Sequence, residues 1–258
     1  MDDVSFSVNP GEVLAVLGPN GAGKSTLLNA LAGTVKTIRG EILFGGKELS
    51  RWKTDDLAKV RAVLPQNFDL DFPFKAREVA LLGRTPHIRF SENARDFRIV
   101  EESLKKVEAE EFAGRFYPTL SGGERQRVQL ARVLAQIWES QNGHSRYLLL
   151  DEPISGLDPA HQHLTLQTAR EFAGRETAVV AVLHDMNLAA QYADKILILK
   201  NGKRFICDRP KNVFNSRVIR EVFGIDAYVT KHAADYELPL IVPFGRAGGE
   251  GKTLGAKV

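Results

Sequence analysis

Three things that this sequence has little of exclude whole classes of function. It contains one cysteine, Cys207, which rules out an intrachain disulfide, and we expect that side chain to fill space in a strand. No apolar run of roughly 18 residues or more occurs, so no membrane-spanning helix is predicted. Asp2, Asp3 and Glu12 lie where the apolar core of a secretory signal would be needed, so no signal peptide is predicted. The net charge of +3 is too small to indicate nucleic-acid binding. If the protein works at a membrane, we expect a partner to hold it there.

What the sequence does have is a glycine-rich stretch that fits the phosphate-binding loop pattern G-x-x-x-x-G-K-[ST]. Its residues are Gly18-Pro19-Asn20-Gly21-Ala22-Gly23-Lys24-Ser25-Thr26. An apolar, strand-like run precedes it and a helical pattern follows it. Glycines let several backbone N–H groups point at one phosphate, and the helix dipole favours the negative charge. We therefore expect a bound nucleoside triphosphate, with Lys24 at the β- and γ-phosphates and the Ser25 hydroxyl on Mg²⁺.

Strand-like and helix-like segments alternate along most of the chain, which predicts an α/β fold with a largely parallel sheet. Buried strands are predicted at 13–17, 62–66, 147–150 and 178–183, and helices at 55–60, 160–173, 186–193 and 210–223. An antiparallel portion is predicted from the alternating residues 4–8, a strand and tight turn at 39–46, and a hairpin over 195–207 that turns at Asn201-Gly202.

Residues 67–135 differ from the rest and predict a helical subdomain inserted into the α/β core. The loop from Asn67 to Phe74 contains the side chains of Phe68, Phe72, Phe74, Asp69 and Asp71, and helical patterns follow at 76–83, 91–107, 108–116 and 120–136. We expect one domain over residues 1–244, which includes this insert and a small appendage at about 208–244 with β structure at 228–242. The Gly- and Lys-rich residues 245–258 predict a disordered tail.

Polar residues follow three of the predicted strands. In a parallel sheet the carboxyl ends of strands line the ligand crevice, which places Asp151 beside Ser25 and near Mg²⁺, directly or through water. Glu152 is expected to hold the attacking water as a general base. His184 is expected to bond to the γ-phosphate, and Gln66 to ligate Mg²⁺ or the water.

A second anion site is predicted where Ser121, Gly122 and Gly123 open a helix. They supply free N–H groups, a hydroxyl and the positive end of a helix dipole. One domain has no use for two triphosphate sites. We therefore expect a dimer in which the second site of each chain covers the phosphate loop of the other.

Together these residues resemble the nucleotide-binding subunit of an ABC transporter over nearly the whole chain. The matching motifs are Walker A (Gly18–Thr26), the Q-loop (Gln66), the signature (Leu120–Gln126), Walker B with the catalytic glutamate (Leu148–Glu152), the D-loop (Ser155–Asp158) and the switch histidine (His184). The resemblance implies the ABC ATPase fold, with a RecA-like P-loop NTPase core, and an ATPase that acts as a translocase.

The same resemblance implies the partners of this chain. It implies a head-to-tail homodimer with two ATP molecules between one chain's Walker A and the other's Ser121-Gly122-Gly123, with Asp158 touching the partner. It also implies that Glu152 and His184 are needed for hydrolysis. The loop from Gln66 to Phe74 would meet the coupling helices of two membrane permease subunits, and its exposed phenylalanines would form the apolar docking patch.

Narrower motifs are similar to those of importers of iron-siderophores, haem and cobalamin. They are Phe72-Pro73-Phe74, Ala80–His87 and His184–Asp194. Within that group, Gln129–Trp138, the polar loop after it and His232–Pro243 most resemble the haem-import ATPase. This implies a peripheral subunit on the cytoplasmic face of the inner membrane, acting with a periplasmic haem-binding protein through the permease. Ferric siderophore and cobalamin stay open as cargo.

Two features depart from the family pattern. Such subunits normally begin with one or two further strands carrying an aromatic residue that stacks on adenine, whereas this sequence starts at Met1-Asp2-Asp3-Val4. Either the start is truncated or misassigned, or adenine is held loosely, because Phe6 and Phe44 are poor substitutes by position. Ile154 stands where threonine is usual before the D-loop.

Two other classes of function explain less of the sequence. A soluble ABC ATPase acting on DNA would carry long coiled coils between the Walker motifs, and one acting on ribosomes would carry two ATPase domains. The sequence has no heptad run and one set of motifs. A P-loop kinase or switch GTPase would leave Leu120–Gln126 and His184 unexplained. We therefore expect no nucleic-acid partner.

Overall fold

The computed structural model describes residues 1–66, 68, 70, 72–140, 143–174, 176–233 and 235–247. Its strands are β1 (Val13–Leu17), β2 (Leu43–Phe44), β3 (Lys47–Glu48), β4 (Arg61–Leu64), β5 (Arg146–Asp151), β6 (Thr177–Val182), β7 (Lys195–Lys200), β8 (Lys203–Asp208), β9 (Ile225–His232) and β10 (Asp235–Arg246). Six of them form one sheet in the order β4-β5-β6-β1-β7-β8. All neighbours pair in parallel except β7 and β8, which form the predicted antiparallel hairpin.

Helices cover both faces of this sheet. They are α1 (Lys24–Ala32), α2 (Thr54–Val60), α3 (Ala76–Leu81), α4 (Ala94–Lys106), α5 (Gly122–Gln136), α6 (Pro159–Ala173), α7 (Met186–Tyr192), α8 (Pro210–Val213) and α9 (Ser216–Phe223). Helices α3, α4 and α5 pack on one another as the predicted helical insert. None of the helices in the described ranges has the length and apolar character that crossing a bilayer requires.

The central strand β1 shows how the sheet is buried on both sides. Its residues are all buried, and successive side chains alternate between two apolar clusters because a strand has a period of two. Val13, Ala15 and Leu17 belong to the larger cluster, whereas Leu14 and Val16 belong to the cluster under α1. Cys207, free and half-buried in β8, packs against that second cluster, as a space-filling thiol should.

Packing within the helical insert depends on a close approach of backbones at Gly83. This glycine lies in a short 3-10 turn over residues 82–87, and an added Cβ would lie 2.0 Å from the Arg132 carbonyl oxygen of α5. The next residue, Arg84, donates to Asp96 at 3.0 Å and to the Ala135 carbonyl at 2.8 Å. Both ion-pair side chains are 3% exposed, so the insert has a satisfied polar interior of its own.

The predicted strand over residues 4–8 is wrong. Val4, Phe6 and Val8 do pack against the cluster under α1, and exposure alternates as expected. No strand forms there, however, because the segment has no ladder in the described part of the chain. Among the described residues, its one long-range hydrogen bond is from Arg204, which donates to the Ser5 carbonyl at 2.6 Å. Burial periodicity alone therefore does not make a strand.

Other boundaries also differ from prediction. The helix predicted at 108–116 is a single 3-10 turn over 110–112, because Glu108, with φ +52°, takes the left-handed backbone after α4. The helix predicted at 210–223 breaks before Asn215, whose side chain caps α9 by accepting from the Val218 N–H at 2.9 Å. The β appendage is longer than expected, since β10 runs to Arg246 and into the predicted tail. The rest of that tail, from residue 248, and the loop residues Asn67, Asp69 and Asp71 lie outside the described residues.

We expect Gly83→Ala to destabilise the protein by about 2 kcal/mol or more, because the new methyl group overlaps the backbone of α5. Urea unfolding measures this change. Gly114→Ala is the matched control, since no atom lies within 4 Å of the methyl group that it would add. Equal unfolding midpoints for the two variants would contradict this account of the packing.

Candidate active site

Four neighbouring parallel strands end at one edge of the sheet, and each is followed by residues predicted to act on a nucleotide. Gln66 follows β4, Glu152 follows β5, His184 follows β6 and the loop Gly18–Thr26 follows β1. Since β4, β5, β6 and β1 are adjacent and in register, the fold brings all four groups to the same crevice.

The glycine-rich loop folds as an anion cradle at the start of α1. Gly23, with φ +101°, precedes that helix, so the first helical N–H groups are free of a side-chain cap. Gly18, with φ +152°, passes so close to β7 that a Cβ would lie 2.3 Å from the Leu199 carbonyl oxygen. The Lys24 ammonium donates to the carbonyls of Gly18 at 2.8 Å and Pro19 at 3.2 Å. The cation is thus held against the loop that it is predicted to serve.

Burial controls the charges at this edge. It lowers the pKa of Lys24, which is 7% exposed, and the carboxylates of Glu152 and Asp151 oppose that shift. It raises the pKa of Asp151, with a further contribution from the charge of Glu152, while Lys24 and His184 oppose the rise. The Lys24 ammonium and the Asp151 carboxyl group are therefore both poorly solvated. An anionic ligand would stabilise the charged form of Lys24, and a cation would stabilise the charged form of Asp151.

Three of the predicted catalytic residues meet directly. The His184 Nε2 atom lies 2.6 Å from one carboxylate oxygen of Glu152, and the Gln66 Nε2 donates to the other at 2.9 Å. Glu152 itself takes the left-handed backbone, with φ +50°, which is rare and costly for a residue with a side chain. Its N–H donates to the Val182 carbonyl at 3.2 Å, which fixes the turn.

The predicted second anion site is exposed and locally capped. Ser121 caps α5, with its hydroxyl accepting from the Glu124 N–H at 3.3 Å and its own N–H donating to the Glu124 side chain at 2.7 Å. An ion pair with Arg115 holds Glu124 in place. Ser121 and Gly122 face solvent. The structure thus presents these groups outward from the chain.

Two contacts join this helix start to the turn after β5. Gln126 donates to the Pro153 carbonyl at 3.2 Å, and a Cβ on Gly123 would lie 3.3 Å from a methyl group of Leu157. Neither contact was predicted from the sequence, because both join residues about 30 positions apart. Their effect is to tie the signature segment to the residues that follow Glu152.

Asp158 lies beyond that turn and caps α6. Its carboxylate accepts from the His161 N–H at 3.0 Å and lies 2.7 Å from the His161 ring. A residue missed by the sequence analysis, Gln162, donates to the Leu157 carbonyl at 3.0 Å and lines a cleft of about 230 Å³ beside Glu152 and His184. Its position one helical turn after Asp158 is the signal that would have found it.

We expect Asp151→Asn to stabilise the protein without nucleotide by about 1 kcal/mol at neutral pH. The native state holds a proton on Asp151 to higher pH than the unfolded chain does, so wild-type stability falls as pH rises through the raised pKa. The amide of the variant does not titrate, so the variant does not lose stability in this way. The difference in free energy of unfolding between variant and wild type should shrink as the pH is lowered toward the pKa of Asp151 in the unfolded chain. Urea unfolding as a function of pH measures this difference, with the exposed Glu41→Gln as the control. A constant difference at all pH values would contradict the burial argument.

Known proteins are similar to this chain over most of its length. The chain is 52% identical over 247 residues to the hemin import ATP-binding protein HmuV of Gloeobacter violaceus, covering 96% of this chain and 90% of that protein. The relative of the same name from Pseudomonas fluorescens strain Pf0-1 is 52% identical over 89% of each chain.

A solved structure has the same fold. It is an inward-facing conformation of a metal-chelate type ABC transporter, 28% identical, with a TM-score of 0.76 over 93% of this chain and 90% of that one. Residues 1–155, more than half of the sequence, match the ABC transporter family. Together with the phosphate loop and the Glu152 cluster, these matches identify the chain as a member of the ABC transporter family, an ATP-binding subunit that hydrolyses ATP.

Proposed function

We propose that this chain drives the import of haem across the inner membrane by binding and hydrolysing ATP. The observation that carries the cargo is the 52% identity over 96% of the chain to a hemin import ATP-binding protein. The importer motifs at Ala80–His87 and His184–Asp194 support the same cargo class. Ferric siderophore and cobalamin are the alternative cargoes, and the uptake experiment below separates them.

ATP is proposed to bind with its phosphates in the Gly18–Thr26 cradle. The residues assigned to it are Gly18, Pro19, Asn20, Gly21, Ala22, Gly23, Lys24, Ser25 and Thr26. Lys24 would turn from the loop carbonyls toward the β- and γ-phosphates, regaining a partner of opposite charge for its poorly solvated ammonium. This change of partner explains why a buried lysine is tolerated at this position.

A magnesium site fits the residues present. The buried Asp151 Oδ1 atom has no hydrogen-bond partner in the described ranges, and an orphaned carboxylate oxygen favours a cation. The Ser25 hydroxyl in the first turn of α1 and the Gln66 side chain are the other assigned ligands. When bound, Mg²⁺ would neutralise negative charge on the phosphates. Among the described residues, no group of three or more acidic, His or Cys side chains is placed to hold a metal ion.

Glu152 is proposed as the general base that orients the attacking water. In this structure both of its oxygens are occupied, one by Gln66 and one facing the His184 ring. Hydrolysis requires one oxygen to be free, so Gln66 and His184 are expected to move when ATP binds, with His184 turning to the γ-phosphate. The strained backbone at Glu152 holds the carboxylate at the sheet edge while its neighbours move.

ATPase subunits of ABC importers act as dimers with other transporter subunits. For this chain we propose a head-to-tail homodimer in which Ser121, Gly122 and Gly123 cover the partner's ATP. Ser121 and Gly122 are exposed at the start of α5, where the positive end of the helix dipole suits an anion from outside the chain. Asp158 is proposed to touch the partner subunit from the adjacent surface.

The transport partners are proposed to be two permease subunits and, through them, a periplasmic haem-binding protein. The segment from Gln66 to Phe74 is the proposed contact, since Phe72 is 69% exposed and Phe74 is 37% exposed. We propose that the chain acts as a peripheral subunit on the cytoplasmic face of the inner membrane. No nucleic-acid partner is proposed.

We expect Glu152→Gln to reduce ATP turnover by about 100-fold or more while ATP binding is retained, because the amide cannot accept the proton of water. Single-turnover and steady-state hydrolysis, together with nucleotide titration, measure the two effects. Because cleavage is blocked, ATP should also trap the closed dimer, detectable by size-exclusion chromatography. Glu92→Gln, on an exposed loop, is the control. Undiminished hydrolysis would remove Glu152 from the role of base.

Cargo is tested in cells that lack this protein, supplied separately with labelled haem, ferric siderophore or cobalamin. We expect loss of haem uptake alone, restored by this chain but not by its Lys24→Ala form, which cannot hold the phosphates. Intact haem uptake with loss of another cargo would overturn the haem proposal and keep the importer function.

A further inference from the structure

An aromatic ring just after Gln66 is tied to the signature helix. The Phe68 ring is half-buried, and the Arg132 guanidinium of α5 lies 4.8 Å from its centroid, a cation–π contact. The contact joins residues 64 positions apart in the sequence. Arg132 lies almost three turns into α5, well away from the exposed Ser121 that begins it.

Arg132 continues into a buried polar chain that runs back along α5. Its Nε donates to the Gln129 side-chain oxygen at 2.7 Å, and the Gln129 amide donates to the Tyr117 hydroxyl at 3.0 Å. Gln129 and Tyr117 are each 2% exposed. Buried polar groups of this kind fix geometry, because breaking one bond leaves another group unsatisfied.

Tyr117 is the point where this chain reaches the signature. It begins a 3-10 turn whose last hydrogen bond, from the Leu120 N–H to the Tyr117 carbonyl at 3.1 Å, delivers the backbone directly into Ser121. The Tyr117 N–H also donates to the Phe74 carbonyl at 2.8 Å. Phe68 and Phe74 are therefore both fastened to the structure that positions Ser121.

We propose that Arg132 is a positioning residue that couples Phe68 to the ATP-covering group Ser121. A displacement of Phe68 is passed through the guanidinium and Gln129 to Tyr117, and so to the first turn of α5. Arg132 does not contact the nucleotide in this account. The link to transport rests on the proposed function, in which transporter subunits contact the segment after Gln66. The mechanical coupling does not depend on the cargo.

The test is amide hydrogen exchange on the whole chain with Phe68→Leu, which removes the ring and keeps an apolar side chain. We expect exchange of the Glu124 and Arg125 amides, which donate to Ser121, to rise about fivefold, within the range expected for a cation–π contact. The amides of α1, on the other side of the sheet, should be unchanged. Phe90→Leu is the matched control, because the Phe90 side chain is fully exposed and lies outside this series of contacts.

Two conservative variants complete the test. Phe68→Tyr keeps a ring and should stay within about twofold of wild type, and Arg132→Lys keeps a cation but loses the bond to Gln129, so it should raise exchange at Glu124 as Phe68→Leu does. If Phe68→Leu behaves like Phe90→Leu, or if exchange rises equally in α1, the coupling is refuted. No cargo is present in this experiment, so failure of the haem assignment would not affect its outcome.

The same variants give a functional readout in the reconstituted transporter. We expect Phe68→Leu to bind ATP as wild type does but to transport less cargo for each ATP hydrolysed. Phe90→Leu is again the control, because Phe90 lies outside the proposed permease contact. A Phe68→Leu transporter with an unchanged cargo-to-ATP ratio would refute the proposed coupling.

Discussion

Parallel pairing of β4, β5, β6 and β1 is the constraint on which the site depends. In a parallel sheet every strand points the same way, so the residues that follow adjacent strands converge even when they are far apart in sequence. Gln66 and Glu152 are 86 positions apart, yet their side chains are hydrogen bonded. That pairing is possible because both faces of the sheet are buried, with α1 on one face and the larger apolar cluster on the other.

Bringing these side chains together at one edge of the sheet costs stability at Lys24, Asp151 and Glu152. A buried ammonium, a buried carboxyl whose Oδ1 atom has no hydrogen-bond partner among the described residues, and a left-handed backbone are each unfavourable. In the proposed ATP complex, the phosphates would replace the loop carbonyls as partners of Lys24 and so offset the first of these costs. Relief of that cost would then add to the affinity for the nucleotide, and the sheet core supplies the stability that tolerates it.

The parts of the fold that could be predicted from the sequence are those with local signals. The Gly18–Thr26 loop, the buried strand before Asp151 and the helix capped by Ser121 each follow from patterns within about ten residues. The prediction of a strand over residues 4–8 was wrong because alternating apolar and polar residues indicate which side chains are buried, whereas a strand also needs a neighbouring strand with which to pair. The Phe68–Arg132 contact and the Gln126–Pro153 bond gave no signal at all, since nothing local in either partner specifies the other.

Differences in burial indicate where this molecule can move. Inside the helical insert, Arg84 and Asp96 are 3% exposed and Gly83 packs directly on α5, so separating them would leave buried charge unpaired. Between the insert and the core, the ion pair of Lys106 with Glu171 is partly solvated on both sides, and such pairs contribute about 1 kcal/mol or less. The apolar contact between insert and core is stronger, because Val100, Val128 and Leu134 of the insert belong to the same buried cluster as Leu148 and Leu150 of β5. Separating the insert from the sheet would therefore expose apolar surface. Within the insert, the buried ion pair and the close packing at Gly83 keep the helices together, so a displacement of one helix is expected to move the others with it.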